Sequence, residues 1–325
     1  MDAVTGFLNG PRARDAFLLR VIFEPPFAVR VEDEAALTLI AVTAGRLWLL
    51  EDDGEQVELC SGDIALLTRG PAYTAADRPG TRPTVAVNGA TSRGLADDPL
   101  DDPLDDPLDN PCESMDLGVR TWGNDPAGST VFLVSSYPEA GEVGRAVVDA
   151  LPRLVVHRKG EWSCPAVQLL ATEVLRDLPG QQALLDRLLD VVVIDAVRAQ
   201  FARVGDAAPR WFAAGQDPLV GRAVRLLDER LEHPWTVAEL GSAVGLSRAA
   251  LARRFTDVLG EAPIGYLTRR RMALAADLLA DPGAAVGAVS RRVGYASPFT
   301  FSSAFKREYG VSPTDYRAGG RPVPA

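Results

Sequence analysis

Two stretches near the C-terminus carry one pattern: TVAELGSAVGLSRAALARRF (236–255) and AVGAVSRRVGYASPFTFSSAFKREYG (285–310). In the first, Thr236 can cap a short helix with Val237, Leu240 and Val244 on one face. Gly245 stops that helix, because glycine enters the left-handed conformation cheaply. Ser247 caps the next helix, whose Leu251 and Phe255 return at helical spacing to face inward. In the second stretch Val286, Val289 and Val293 form the inner face and Gly294 is the stop. Ser297 caps the following helix, with Pro298 at its first position, where a missing N–H is harmless. Phe301 and Phe305 repeat the spacing of Leu251 and Phe255. This is a helix-turn-helix twice over, a unit that presents its second helix to the major groove of DNA.

The segment between the copies, IGYLTRRRMALAADLLAD (264–281), reads as one helix with Ile264, Leu267, Met272, Ala275, Leu278 and Leu279 apolar. It would fix the separation of the two reading heads. Upstream, a helix over 218–232 packs Val220, Val224, Leu227 and Leu231 inward and ends at His233-Pro234.

From about Asp217 to Tyr316 the chain resembles the DNA-binding domain of AraC/XylS-type bacterial transcription regulators. The resemblance rests on WTVAELGSAVGLSRAALARRF, YLTRRRMALAADLL and VGYASPFTFSSAFKREYGVSPTDYR, ending in the Gly-x-Ser-Pro-x-x-Tyr-Arg closure from Gly310 to Arg317. It covers roughly a third of the chain and implies double-stranded DNA as a partner, with RNA polymerase a further candidate. On the first reading helix the outward face carries Arg248, Ala249, Ala252, Arg253 and Thr256. The resemblance places Ala249, Ala252 and Arg253 at base edges, and Arg253 suits a bidentate guanine contact. On the second, Phe299, Thr300, Ser302 and Ser303 face outward, with Lys306 and Arg307 toward phosphates. The family often has arginine where Ser303 stands, so this head is expected to lean on backbone and shape contacts.

A net charge of −10 over 325 residues argues against a nucleic-acid partner until its distribution is considered. Residues 217–320 hold 14 Lys/Arg against 11 Asp/Glu, while residues 1–216 hold 19 against 33. The C-terminal part is therefore mildly basic. Its clusters at Arg253–Arg254, Arg269–Arg271, Arg291–Arg292 and Lys306–Arg307 are expected to meet phosphates. No apolar run is long enough for a membrane span and no secretory leader is evident, so the expected compartment is the cytoplasm. Cys60, Cys112 and Cys164 lack metal-ligand spacing and read as reduced thiols.

The first ninety residues read as hairpins of a small barrel or sandwich, with strands near 17–23, 27–31, 36–42, 46–50, 56–60, 64–68 and 84–87. The run GRLWLLEDDGEQVELCSGDIALLTRGPAY (45–73) resembles the cupin-type sensor domain that precedes many AraC-type DNA-binding domains. Metal-binding cupins carry paired histidines on these strands. This chain has only His157 and His233, neither expected in the barrel, and Tyr73 stands about where the family often has one. No metal or other cofactor and no catalytic set is therefore expected. Trp48 and Tyr73 are the candidate contacts for a small-molecule effector, with the plain reading of both as core aromatics left open.

ADDPLDDPLDDPLDN (96–110) reads as a disordered or extended acidic insertion. Further strands are expected at 115–123 and 129–135, then helices at 142–151, 165–178 and 181–201. Leu188–Ile194 is apolar nearly all round. Either it is deeply buried or it meets a second copy of itself; pairing into a homodimer through Leu188 and Val192 is the preferred reading. The expected architecture is α+β in two domains. Residues 1–203 form a cupin-like β-barrel with a helical part at 141–203, residues 204–216 a linker, and 217–318 an all-α double helix-turn-helix domain. The expected function is a transcription regulator controlled by a small molecule and not an enzyme. The alternatives are a redox-responsive regulator acting through Cys112 or another cysteine, and a cupin-type enzyme joined to a DNA-binding domain.

Overall fold

Short runs of β-branched and aromatic residues punctuated by Gly, Pro and acidic turns make strands, because alternate side chains can then fill a common interior. The computed structural model describes residues 17–33, 35–68, 72–88, 91–95, 115–137 and 141–319. Its strands are β1 (Phe17–Phe23), β2 (Ala28–Val31), β3 (Leu37–Ala44), β4 (Arg46–Glu51), β5 (Gln56–Cys60), β6 (Ile64–Thr68) and β7 (Tyr73–Ala76). They continue as β8 (Val85–Asn88), β9 (Thr91–Gly94), β10 (Asp116–Gly118), β11 (Thr121–Gly123), β12 (Thr130–Tyr137) and β13 (Leu154–His157). The expected runs at 56–60 and 64–68 match β5 and β6, and 115–123 divides into two strands. β7, β9 and β13 are additions, each four residues long and too short to show a period. The acidic repeat 96–110 and Cys112 lie outside the described residues.

One sheet runs β10-β11-β1-β12-β3-β6-β13 and the other β5-β4-β7-β2-β8-β9. Val21, Phe23, Ile40, Val42, Ala65, Leu67 and Phe132 of the first meet Val29, Leu47, Leu49, Leu59, Tyr73, Ala75 and Val85 of the second in one core. Burying each Val, Leu, Ile or Phe among them contributes about 1.5–3 kcal/mol. Asp63 secures the β5–β6 turn: its carboxylate accepts from the Cys60 and Lys159 N–H groups at 3.0 and 2.8 Å and from Arg158 Nη1 at 2.8 Å.

The opposite face of the seven-stranded sheet is also buried, at Leu18, Ile22, Leu39, Leu66, Leu133 and Val155. Two helices follow, α2 (Pro165–Glu173) and α3 (Gln181–Val204), after α1 (Glu142–Ala150). α3 reaches that face, where His157 Nε2 donates to the Ala196 carbonyl at 2.9 Å. His157 is therefore on a barrel strand after all, contrary to expectation, but it turns away from the interior.

The all-round apolarity of 188–194 has its explanation here. Val192 and Val193 are fully buried and Leu188 nearly so within a single chain. Leu188 and Val192 are thus core residues, and the deep-burial alternative holds for them. A charge at Val192 would destabilise the fold and report nothing about a second copy.

The C-terminal helices are α4 (Arg210–Ala214), α5 (Pro218–Glu229), α6 (Val237–Val244), α7 (Arg248–Leu259), α8 (Pro263–Leu279), α9 (Val286–Arg292), α10 (Pro298–Tyr309) and α11 (Pro313–Arg317). The described residues divide into two compact units, 17–137 with 151–200, and 141–150 with 201–319. Residues 204–216, which read as a linker, belong to the second unit together with 201–203, and α4 packs into it. Ala214 is fully buried in the first head's core and Trp211 lies against that core. Helix α1 also joins this unit although it falls between two strands in sequence. It packs on α8, where Asp277 accepts from the Glu142 N–H at 2.5 Å.

Candidate nucleic-acid interface

The first head is built as its caps dictate. Thr236 Oγ1 accepts from the Glu239 N–H at 3.1 Å, and Ser247 Oγ from Ala250 at 3.2 Å. Between them Gly245 takes φ 79°. Leu240, Val244, Leu251 and Phe255 enter the core with Tyr266 and Leu267 of α8. That leaves Arg248, Ala249, Arg253 and Thr256 exposed on α7, with Ala252 half-buried.

The second head is built alike. Ser297 caps α10 through Thr300, while Phe301 and Phe305 are fully buried with Val289, Val293 and the far half of α8. Phe299, Thr300, Ser303, Lys306 and Arg307 are exposed, and Ser302 is half-buried with its hydroxyl donated to the Pro298 carbonyl at 2.9 Å. The Gly310–Arg317 closure also has a physical role. Tyr316 packs edge-on against Phe305 at 5.3 Å, and Arg317 Nη1 donates to the Ala284 carbonyl, ahead of α9, at 2.7 Å.

Helix α8 shares its side chains between the two cores, Tyr266 and Leu267 with one and Met272, Ala275 and Leu279 with the other. Arg271 adds a second tie. It donates to the carbonyls of Leu231 and His233 at 2.6 and 2.8 Å while its guanidinium lies 5.7 Å from the Tyr295 ring. At Gly294, φ 82°, an added Cβ would lie 2.4 Å from the Glu232 carbonyl oxygen. The turn of the second head is thus held directly against the segment between α5 and the first head.

The basic clusters sort differently from expectation. Arg270 is buried and paired with Asp228 at 3.0 Å, with the Tyr266 hydroxyl donating to the same carboxylate at 3.0 Å. Arg269 pairs with Glu261 at 2.7 Å. The 269–271 cluster is therefore engaged within the domain. Arg254 is also engaged, through Nε and Nη2, by Asp217 at 3.0 and 2.9 Å. Burial works to raise the Asp217 pKa, yet N–H groups of Val220 and Leu219 together with Arg254 hold it below the ordinary value. Arg248, Arg253, Arg291, Arg292, Lys306 and Arg307 are exposed and take part in none of the ion pairs seen among the described residues. Asp217 and Asp228 were missed as positioning residues. Asp217-Pro218 carries a helix-start signal, whereas nothing links Asp228 to an arginine 42 residues later.

The match to known proteins follows this geometry. Residues 2–202 match a family model described as "Cupin", and residues 240–319 one described as "Helix-turn-helix domain". A putative AraC-like transcription regulator of Streptomyces antibioticus is 31% identical over 98% of both chains. The chain belongs to the AraC-like transcription regulators. This AraC-like chain is also 27% identical to the HTH-type transcriptional regulator AlkR of Acinetobacter baylyi, over 98% of the chain and 99% of that protein. Among solved structures, the DNA-binding domain of AdpA in complex with a target DNA is 34% identical, covering 32% of this chain and 92% of that one, with a TM-score of 0.30.

In the cupin unit of the AraC-like chain the two candidate effector contacts separate. Tyr73 belongs to the interior core, and burial followed by the nearby Asp33 charge pushes its pKa up. Trp48 stands between Leu47 and Leu49, both interior, so strand alternation puts it on the other face. Among the described residues no three or more His, Cys, Asp or Glu side chains gather as metal ligands, and no helix is long and apolar enough to cross a membrane. Cys164 is buried, which pushes its thiol pKa up, while Cys60 is exposed.

Proposed function

We propose that this DNA-binding regulator reads its operator with α7 and α10 and that a small molecule held by the cupin unit controls it. The observation that carries the first part is the pair of capped helices fixed to one rod, with their outward cations left unpaired. Arg253 is the main base reader through guanine, with Arg248, Ala249, Ala252 and Thr256 beside it. Thr300, Ser302 and Ser303 face the second groove, and Lys306 and Arg307 the phosphates. The two heads enter successive major grooves about 10 base pairs apart. Footprinting of full-length protein at low salt tests this reading. Protection of two groove segments at that spacing supports it, and uniform binding without a preferred site rejects it.

For the effector, the inward face of the cupin sheets suits a small and largely apolar molecule with one polar end. Apart from aliphatic and other aromatic side chains, it carries on one sheet the Tyr73 hydroxyl and, alternating with Leu47 and Leu49, the buried Glu51, which pairs with Arg153 at 2.7 Å. On the other is a hydroxyl pair, Thr38 and Ser136, 3.3 Å apart, with Ser136 bonded to Asp33 at 3.1 Å. A ligand of this kind raises the melting temperature with its concentration, and Tyr73→Phe should weaken that rise. An unchanged rise in Tyr73→Phe would remove Tyr73 from the site.

For the homodimer, Leu184 and Val191 replace the buried pair, since they lie one heptad apart on α3 and are 43% and 49% exposed. Sedimentation of Val191→Asp tests that contact: a dimeric wild type and a folded monomeric variant are expected. Recruitment of RNA polymerase is tested by transcription from a promoter carrying the selected site.

A further inference from the structure

The second reading helix bears a side chain that polar recognition does not use. Phe299 is 82% exposed, against 57% for the next most exposed large hydrophobic residue described, Leu178. It makes no ring contact with the Tyr295, Phe301, Phe305, Tyr309 and Tyr316 cluster behind it. Its place is the first turn of α10, directly after Pro298 and within the turn capped by Ser297. The N-terminal residues of a reading helix are those that reach base edges.

The neighbouring polar groups are few and short. Ser302 has its hydroxyl bonded back to the Pro298 carbonyl, and Pro298 has no N–H to offer. Only the Thr300 and Ser303 hydroxyls remain on that face, while Lys306, two turns on, suits the backbone. A benzyl group neither donates nor accepts hydrogen bonds at a base edge. The one apolar feature in the major groove is the thymine 5-methyl group. A lone exposed phenyl ring on a helix that also carries the exposed Lys306 and Arg307 suits a polyanion more than an apolar protein patch.

We propose that Phe299 reads a thymine through its 5-methyl group, so that the second head recognises its half of the operator by an apolar contact. This rests on the reading of α10 as a groove-entering helix. It predicts sensitivity to a change that leaves every Watson–Crick hydrogen bond in place, the replacement of one thymine by deoxyuridine.

The experiment selects a preferred site for full-length wild-type protein and then replaces each of its thymines by deoxyuridine, one at a time. Binding is measured for wild type, Phe299→Ala and Arg253→Ala, with circular dichroism and melting to confirm folding. One position in the second half should weaken wild-type binding about fourfold on losing its methyl, the worth of one buried methylene-sized group. Phe299→Ala should be insensitive there, and Arg253→Ala should keep the sensitivity. Restoring a methyl at that position with 5-methylcytosine opposite guanine should recover part of the loss that cytosine causes in wild type only.

Equal deoxyuridine profiles for wild type and Phe299→Ala would overturn the proposal while leaving DNA recognition intact. So would a Phe299→Ala protein that selects and binds the same site unchanged but loses promoter activation, since the ring would then face a protein partner. Absence of any preferred site for wild type would overturn the groove-reading role of α10 and this proposal with it.

Discussion

Arg253 and Arg254 are adjacent in sequence and have different tasks. Arg254 is held by Asp217 at 2.9 Å, whereas Arg253 points out of the exposed face of α7 with no ion pair among the described residues. Arg253→Ala should lower discrimination for one guanine by about 1–3 kcal/mol with an unchanged melting temperature. Arg254→Ala should do the reverse, lowering stability while site preference persists. Titration against a panel of single-base operator variants, paired with melting curves, separates the two. Arg253→Ala should also cost more sequence preference than Ser303→Ala. Charge clusters were legible in the sequence, but their partners were not. Arg269–Arg271 looks like a phosphate clamp until Asp228 and Glu261 are brought next to it by folding. The same blindness applied to Val192, whose apolar surroundings announced burial without saying by what.

At the scale of elements, caps and stops were the readable features because each is a local chemical requirement. Thr236, Ser247, Ser297 and Ser312 all accept from the backbone as helix starts should. Gly245 and Gly294 look equivalent in sequence, yet their surroundings differ. A Cβ at Gly245 meets nothing within 4 Å, so Gly245→Ala carries only the left-handed backbone penalty, about 1 kcal/mol. At Gly294 the Glu232 backbone is 2.4 Å away. Gly294→Ala should therefore cost about 1–3 kcal/mol more and degrade binding to operators that need both heads. Urea titrations and footprints of the two variants check this; equal losses would contradict the tight approach of Gly294 to Glu232.

The start of α5 responds to acid for a stated reason. Asp217 titrates below an ordinary carboxylate in the folded chain, so its contribution is complete above roughly pH 4 and fades as pH falls through its depressed folded value. Asparagine caps a helix comparably but cannot pair with Arg254. Asp217→Asn should therefore be less stable than wild type by about 0.5–1 kcal/mol at neutral pH, a modest figure because Arg254 is half in water. The two proteins should converge in the acid. Denaturation midpoints followed downward from pH 7 measure it, and a gap that does not shrink as the pH falls would point away from the ion pair.

Across the whole molecule, the family and its two-part plan were legible, since the helix-turn-helix motifs need many residues in order and the strand rhythm repeats. Charge pairing at long range was not legible, and it changes a measurable quantity. With Arg254 and Arg269–Arg271 engaged internally, six exposed cations remain on or beside the heads, Arg248, Arg253, Arg291, Arg292, Lys306 and Arg307. The slope of log K against log salt should then be no steeper than roughly −5 per protomer. Counting the engaged arginines as phosphate contacts would give roughly −9. Binding isotherms between 50 and 300 mM salt distinguish the two, with oligomeric state fixed by sedimentation.

The placement of α1 was equally hidden. Nothing in EVGRAVVDA says that a helix between β12 and β13 will lie on α8 with Asp277 at its first N–H. Truncation at residue 203, the boundary that chain order suggests, would therefore part α1 from α8, so that Asp277 loses the Glu142 N–H. Weak solubility of the first half and altered DNA affinity of the second would then be artefacts of the scissors. The two units of this regulator are best dissected by substitution within the intact polypeptide.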